Sequence, residues 1–94
     1  MKIPKNVKIG GIPYEVKIVD CVCDMNKYTS GRIIYDSQEI KVQKGMGKEF
    51  TEMVLLHEIL HGIFEDKNIE NDEKLVDSIA KGLHQVITDN PELF

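Results

Sequence analysis

Ninety-four residues, 41% hydrophobic and 30% charged, are enough for one globular domain whose core needs no disulfides. The formal charge is −4, and the 12 basic residues are scattered, so no electrostatic footprint for nucleic acid is present. No apolar run approaches the roughly 18 residues of a membrane span, and Met1–Val7 lacks the apolar core of a signal peptide, which makes the cytoplasm the expected location.

Residues 5–10 and 12–19 alternate polar and apolar on either side of Gly10-Gly11. This pattern predicts a β-hairpin with Ile12, Tyr14, Val16 and Ile18 on one face, and with Lys8, Glu15 and Lys17 toward water. Asp20–Arg32 reads as irregular loop: Asp24, Asn26, Thr29, Ser30 and Gly31 are turn formers, and Val22 and Tyr28 are its candidate anchors to the core. Cys21 and Cys23 would share one face of an extended segment, but a C-x-C pair lacks the second pair that completes a tetrahedral metal site. They read as two reduced thiols. Arg32–Tyr35 and Glu39–Val42 flank Asp36-Ser37-Gln38, which predicts a second hairpin. Gly45 and Gly47 then break the strand and free the chain to change direction.

The segment Phe50–Phe64, F-T-E-M-V-L-L-H-E-I-L-H-G-I-F, is apolar around most of a helical circumference, as expected of a buried helix spanning about Lys48 to Phe64 or Glu65. At its centre is His57-Glu58-Ile59-Leu60-His61, an H-E-x-x-H motif. Residues four apart lie one above the other on a helix, so His57 and His61 present two imidazoles to one ion. Glu58 lies about 100° round the wheel, beside the ion, where it can hold and deprotonate a water. This is the zinc-hydrolase reading of the motif, with Glu58 as general base. Gly62, directly after His61, either lets another element come close to the metal or is a weak point near the helix end.

After Asp66-Lys67-Asn68 a second helix is expected from about Ile69–Asp72, capped by Asn68 or Asn71. Its apolar stripe is Val76, Ile79, Ala80, Leu83, Val86 and Ile87, and it stops near Thr88–Asn90 ahead of Pro91. The expected architecture is therefore α+β and a single domain over 1–94: a small antiparallel sheet of two hairpins in 1–47, packed on two helices in 48–94.

A catalytic zinc site needs a third protein ligand and an open position. The short connection brings the second helix back against the first, which makes Glu70, Asp72, Glu73 and Asp77 candidates. Helical phase favours Glu73, one turn before Val76 and Ala80 on the inward side; Asp72 points further out, and Glu70 sits at or before the helix start. Asp77 shares the face of Glu73 and is placed to accept the outer N–H of His57 or His61, as carboxylates beside ligating histidines commonly do. His84 is about 16 Å further along the helix than Glu73 at 1.5 Å per residue, so it reads as a core or surface histidine.

H-E-x-x-H followed by E-x-x-x-D on a second helix resembles the gluzincin metallopeptidases. Glu73-Lys-Leu-Val76-Asp-Ser-Ile79-Ala80 is similar to the E-x-x-A-x-x-F-A signature of minimal zincins of the ImmA/IrrE type, which phage and mobile elements also encode. Val76 and Ile79 stand where that signature has a small and an aromatic residue, and eleven residues separate His61 from Glu73, fewer than in the larger peptidases. The resemblance covers residues 48–90 and implies one zinc ion held by His57, His61 and Glu73, with Asp77 supporting a histidine. The metzincin pattern does not fit, since position 64 is Phe and position 67 is Lys.

The expected activity is hydrolysis of a peptide or protein substrate. The alternatives are a zinc-binding regulatory or interaction module that cleaves nothing, and a zinc hydrolase of a non-peptide substrate. Tyr28, Arg32, Tyr35 and His84 are candidate oxyanion donors. The edge of strand 39–42 is a candidate site for pairing with an extended peptide. So short a chain leaves little room for a specificity pocket.

Overall fold

The computed structural model describes residues 1–93 and is an α+β fold. Strands β1 (Asn6–Ile9) and β2 (Ile12–Val19) form the expected hairpin around Gly10-Gly11, with Ile9 opposite Ile12. Two short strands follow, β3 (Val22–Asp24) and β4 (Lys27–Thr29). They are succeeded by β5 (Gly31–Ile34), β6 (Glu39–Gln43) and helices α1 (Lys48–Asp66) and α2 (Glu73–Asp89). A 3₁₀ turn, Pro91–Leu93, follows α2. No helix among the described residues is long and apolar enough to cross a membrane.

The main sheet has the order β1-β2-β6-β5 and is mixed rather than antiparallel. β5 and β6 form the second hairpin as expected, but β6 lies parallel to β2, pairing Val16 with Ile40. The register explains the arrangement. Ile33, Ile40 and Val16 fall in one row across β5, β6 and β2, which gathers branched side chains on the face that α1 covers. Ile40 and Val42 are both fully buried at the sheet centre. The idea of a peptide pairing with strand 39–42 is therefore corrected: β6 has neighbours on both sides, and the edge strands are β1 and β5, of which β5 is the one beside β6.

The stretch expected as loop holds the separate β3–β4 hairpin, whose turn residues Met25 and Asn26 both have positive φ. Asn26 signals such a turn, whereas Met25 does not, which is why composition hid the hairpin. Val22 anchors it at 1% exposure; Tyr28, the other expected anchor, is 83% exposed. Cys21 and Cys23 are free and exposed.

Helix α1 sits between the sheet and α2. Val54 and Leu55 face the cluster formed by Ile9, Tyr14, Ile40 and Val42. Leu56, Leu60 and Phe64 face Val76 and Ala80 of α2. Two partners explain why so much of the circumference is apolar, although burial is not complete, since Phe50 and Ile63 are exposed. Gly62 turns out to serve the sheet and not a metal: a Cβ there would come within 2.8 Å of Ile9 Cδ1 and 3.0 Å of Ile33 Cδ1.

The cap of α2 is Asp72, not Asn68 or Asn71; its Oδ1 accepts from Lys74 N–H at 3.0 Å and Leu75 N–H at 3.2 Å. Asn68 instead takes a positive φ beyond the end of α1. The stripe on α2 is narrower than its apolar residues suggest. Val76 and Ala80 are buried and Leu83 and Ile87 pack beside them, while Ile79 and Val86 are exposed and the third buried position is His84.

Candidate metal centre

The i, i+4 spacing on α1 puts both imidazoles on one wall of a groove, and the antiparallel return of α2 sets its first residue opposite them. One ligand atom each from His57, His61 and Glu73 lie within 4.8 Å of one another. His57 Nε2 is 2.6 Å from Glu73 Oε1, His61 Nε2 is 2.9 Å from Glu73 Oε2, and the two Nε2 atoms are 3.1 Å apart. Of the four acidic candidates, Glu73 is the one that reaches both histidines. Asp72 is occupied as the helix cap, and Glu70 is no part of this cluster.

The outer nitrogens decide what the inner ones can do. His61 Nδ1 lies 2.8 Å from the Asn71 side-chain oxygen, and His57 Nδ1 lies 3.5 Å from Asp77 Oδ1. Asn71 Oδ1 is an acceptor within hydrogen-bond distance of His61 Nδ1, and Asp77 is the carboxylate nearest His57 Nδ1, so in the tautomer that turns each N–H outward both Nε2 atoms are left as electron-pair donors. The two Nε2 lone pairs then face each other and a carboxylate. In that tautomer three electron-pair donors converge in one place, and nitrogen–nitrogen–oxygen is a donor set suited to a cation such as Zn²⁺. The residues present therefore fit a zinc ion.

Asn71 is the site residue that sequence reasoning missed. The cap expected at Asn71 falls to Asp72; two residues before Glu73 the chain has not yet entered α2, and the Asn71 side chain folds back onto His61. Its only sequence signal is its position two residues before Glu73 on a six-residue connection, 67–72. Asp77 is also held by Lys81 at 2.9 Å, and that partner keeps its carboxyl below the ordinary value of 3.8.

Glu58 is 8% exposed and lines the same cavity as the two histidines. Burial lifts its carboxyl above the ordinary 4.5, against the opposing pull of His57 and His61; Glu73 adds to the rise, and a hydrogen bond from the Ile33 N–H works against it. The strand reaches Glu58 because of Gly31. A Cβ on Gly31 would lie 2.5 Å from Val54 Cγ1 and 3.4 Å from Glu58 Cγ, so only glycine lets the edge strand settle onto α1 here.

The cavity has a volume of about 710 Å³ and is walled by α1, β5, the β3–β4 hairpin and α2. That volume is typical of a ligand site, so the expectation of little room is corrected. The space arises because the hairpin adds a wall that composition does not reveal. Of the oxyanion candidates, Arg32 and Tyr35 line this cavity. His84 does not: it is buried against Glu52 at 2.8 Å. Tyr28 points away into solvent. Tyr35 donates to the His61 carbonyl at 3.3 Å, and burial first, then Glu65, push its hydroxyl up to about 12, so it stays protonated at neutral pH. Arg32 donates to the Cys23 carbonyl at 3.2 Å and faces Asp24 at 3.7 Å, which ties β5 to the hairpin.

No family model, curated protein or solved structure matches this chain.

Proposed function

We propose that this protein is a zinc-dependent metallopeptidase of the minimal gluzincin kind. The observation that supports the reading best is the convergence of His57, His61 and Glu73 beside a buried Glu58 in one open cavity. A purely structural zinc site has no need of a buried carboxylate next to its ligands, and its fourth position is closed.

In this reading His57 Nε2, His61 Nε2 and a Glu73 oxygen hold the ion, with Asn71 and Asp77 fixing the two rings by accepting their outer N–H groups. Zinc, when bound, supplies Lewis acidity, bringing the pKa of a water toward about 7 and polarising a carbonyl. Glu58 accepts a proton from the attacking water and returns it to the leaving amine. Its raised proton affinity suits that exchange, and the Ile33 N–H keeps the carboxylate pointed into the groove. Tyr35 and Arg32 are the side-chain donors available to a developing oxyanion. The free edge of β5 offers backbone groups to an extended substrate. Gln43 N–H donates to Ser30 O at 2.8 Å, so by alternation the peptide groups of Gly31 and Ile33 face outward, and with the Ile33 N–H given to Glu58 the Gly31 groups and the Ile33 carbonyl remain for a substrate.

The test is a zinc titration followed by a peptide-library digest read by mass spectrometry, with the protein loaded and then chelated. One zinc per chain and chelator-sensitive cleavage are expected. Stoichiometric zinc with no cleavage in any peptide would replace this reading with that of a zinc-binding module or a hydrolase of another substrate class. No zinc at all would remove it.

A further inference from the structure

Glu52 and His84 are the buried polar pair that this chemistry does not use. Glu52 is 4% exposed and His84 6%, and His84 Nε2 lies 2.8 Å from Glu52 Oε1, joining α1 to α2. The second carboxylate oxygen faces the Met1 amino group at 3.6 Å. Neither residue lines the metal cavity. Glu52 is five residues before His57, about 7.5 Å along α1 at 1.5 Å per residue.

Apart from the contacts of His57 and His61 with Glu73 and Asp77, the contact between the helices is aliphatic and aromatic: Leu56, Leu60 and Phe64 against Val76, Ala80, Leu83 and Ile87. Such contacts are strong but carry little directional preference. A small slide of α2 along α1 costs them little, whereas a zinc site tolerates only about 0.2 Å in its ligand distances. Glu73 comes from one helix and both histidines from the other, so the site depends on a register that the apolar contacts specify weakly. A buried hydrogen-bonded pair is directional, and fixing register is the best-attested use of such a pair.

We infer that the Glu52–His84 pair is a positioning device that locks the α1–α2 register and so sets Glu73 at the correct distance from His57 and His61. The inference rests on the metal reading of that cluster. It makes His84 a positioning residue acting through the helix that carries Glu73.

The test measures zinc affinity by chelator competition, and folding by thermal melting, in the wild type, in Glu52→Leu/His84→Leu and in His84→Gln. Exchange of a buried pair for apolar residues commonly leaves stability unchanged or raised, so the leucine pair separates register from stability. Its zinc affinity is expected to fall roughly 10- to 100-fold, the range typical when support to a metal ligand is lost, while its melting temperature stays at or above that of the wild type. His84→Gln keeps an N–H donor near the position of Nε2 and is expected to bind zinc within about threefold of wild type. If the leucine pair does not fold, Glu52→Met/His84→Met carries the same test, since methionine fills irregular space. A folded apolar pair that binds zinc as tightly as wild type overturns the inference, as does His84→Gln losing as much affinity as the apolar pair. Absence of zinc binding in the wild type would instead sink the metal reading on which this rests.

Discussion

In the proposed zinc site, replacing Glu73 with alanine removes one of three ligands, and its cost can be worked from the geometry. A structural four-ligand zinc site is worth about 10–16 kcal/mol, or about 2.5–4 kcal/mol per ligand. At 1.4 kcal/mol per decade that is roughly 60- to 700-fold in affinity. The Glu73 side chain is 73% exposed, so water competes with it and takes its place readily on removal, which puts the expectation near the lower end, about 100-fold. Asp77→Ala takes away the 3.5 Å contact to His57 Nδ1 and the surface pair with Lys81, neither of them a ligand to the ion, and should cost less, about 10-fold. The assay is competition with a chromogenic chelator at fixed pH, with circular dichroism confirming that both variants keep their helices. The reverse order, Asp77→Ala losing zinc while Glu73→Ala retains it, would show that the third ligand lies one turn further along α2 and would refute the geometric argument.

Three further outcomes follow from other parts of the structure. Glu58→Gln is expected to bind zinc with unchanged stoichiometry and to lose about 10²- to 10⁴-fold in peptide cleavage, the contribution typical of a general base; equal cleavage by the variant would exclude that role. Gly31→Ala puts a methyl group 2.5 Å from Val54 Cγ1 and is expected to destabilise by about 1–3 kcal/mol in urea unfolding, with Val54→Ala recovering part of the loss; additive losses in the double variant would show that the two sites do not touch. Glu52 is subject to burial, which raises its pKa, but the hydrogen bond from His84 and the Met1 amino group outweigh this and hold it below the ordinary 4.5. A depressed carboxyl stabilises the fold above its unfolded pKa and ceases to as pH falls through the folded one, so the melting temperature should drop below about pH 4.5. Glu52→Gln should flatten that drop; an identical acid limb in wild type and variant would assign the acid sensitivity to other carboxyls.

What the sequence made legible is what a short period determines. The i, i+4 histidines, the adjacent Glu58, the alternation in β1 and β2 and the phase of Glu73 all follow from geometry within a few residues. What it hid depends on distant pairing. Parallel neighbours β2 and β6 are separated by the whole of residues 20–38, and nothing local in either strand states which edge the other will take. The β3–β4 hairpin was obscured for a different reason: its strands are three residues each, too short for alternation to register, and one of its turn residues is a methionine. The error on Asn71 was one of competing roles. Asn and Asp both cap helices, and Asp72 won the cap because Lys74 N–H and Leu75 N–H fall within its reach, leaving Asn71 free to turn to His61.

That competition links the fold to the site. Because Asp72 terminates α2 at its N-terminal end, Glu73 is the first helical residue and its backbone is fixed by the cap rather than by packing. Asn71, one residue outside the cap, holds His61 from the connection, while Asp77, one turn inside, holds His57 from the helix. The two imidazoles are thus oriented by groups on either side of a single capped turn, and Glu73 lies between them. Any loosening of the cap would move Asn71 and Glu73 together but leave Asp77 in place. It follows that Asp72→Ala should weaken zinc binding through His61 and Glu73 without freeing His57. In NMR of the apo protein the His61 imidazole resonances should broaden more than those of His57, which loses its Glu73 contact but keeps Asp77. Equal broadening of both rings would mean that the cap does not govern the site.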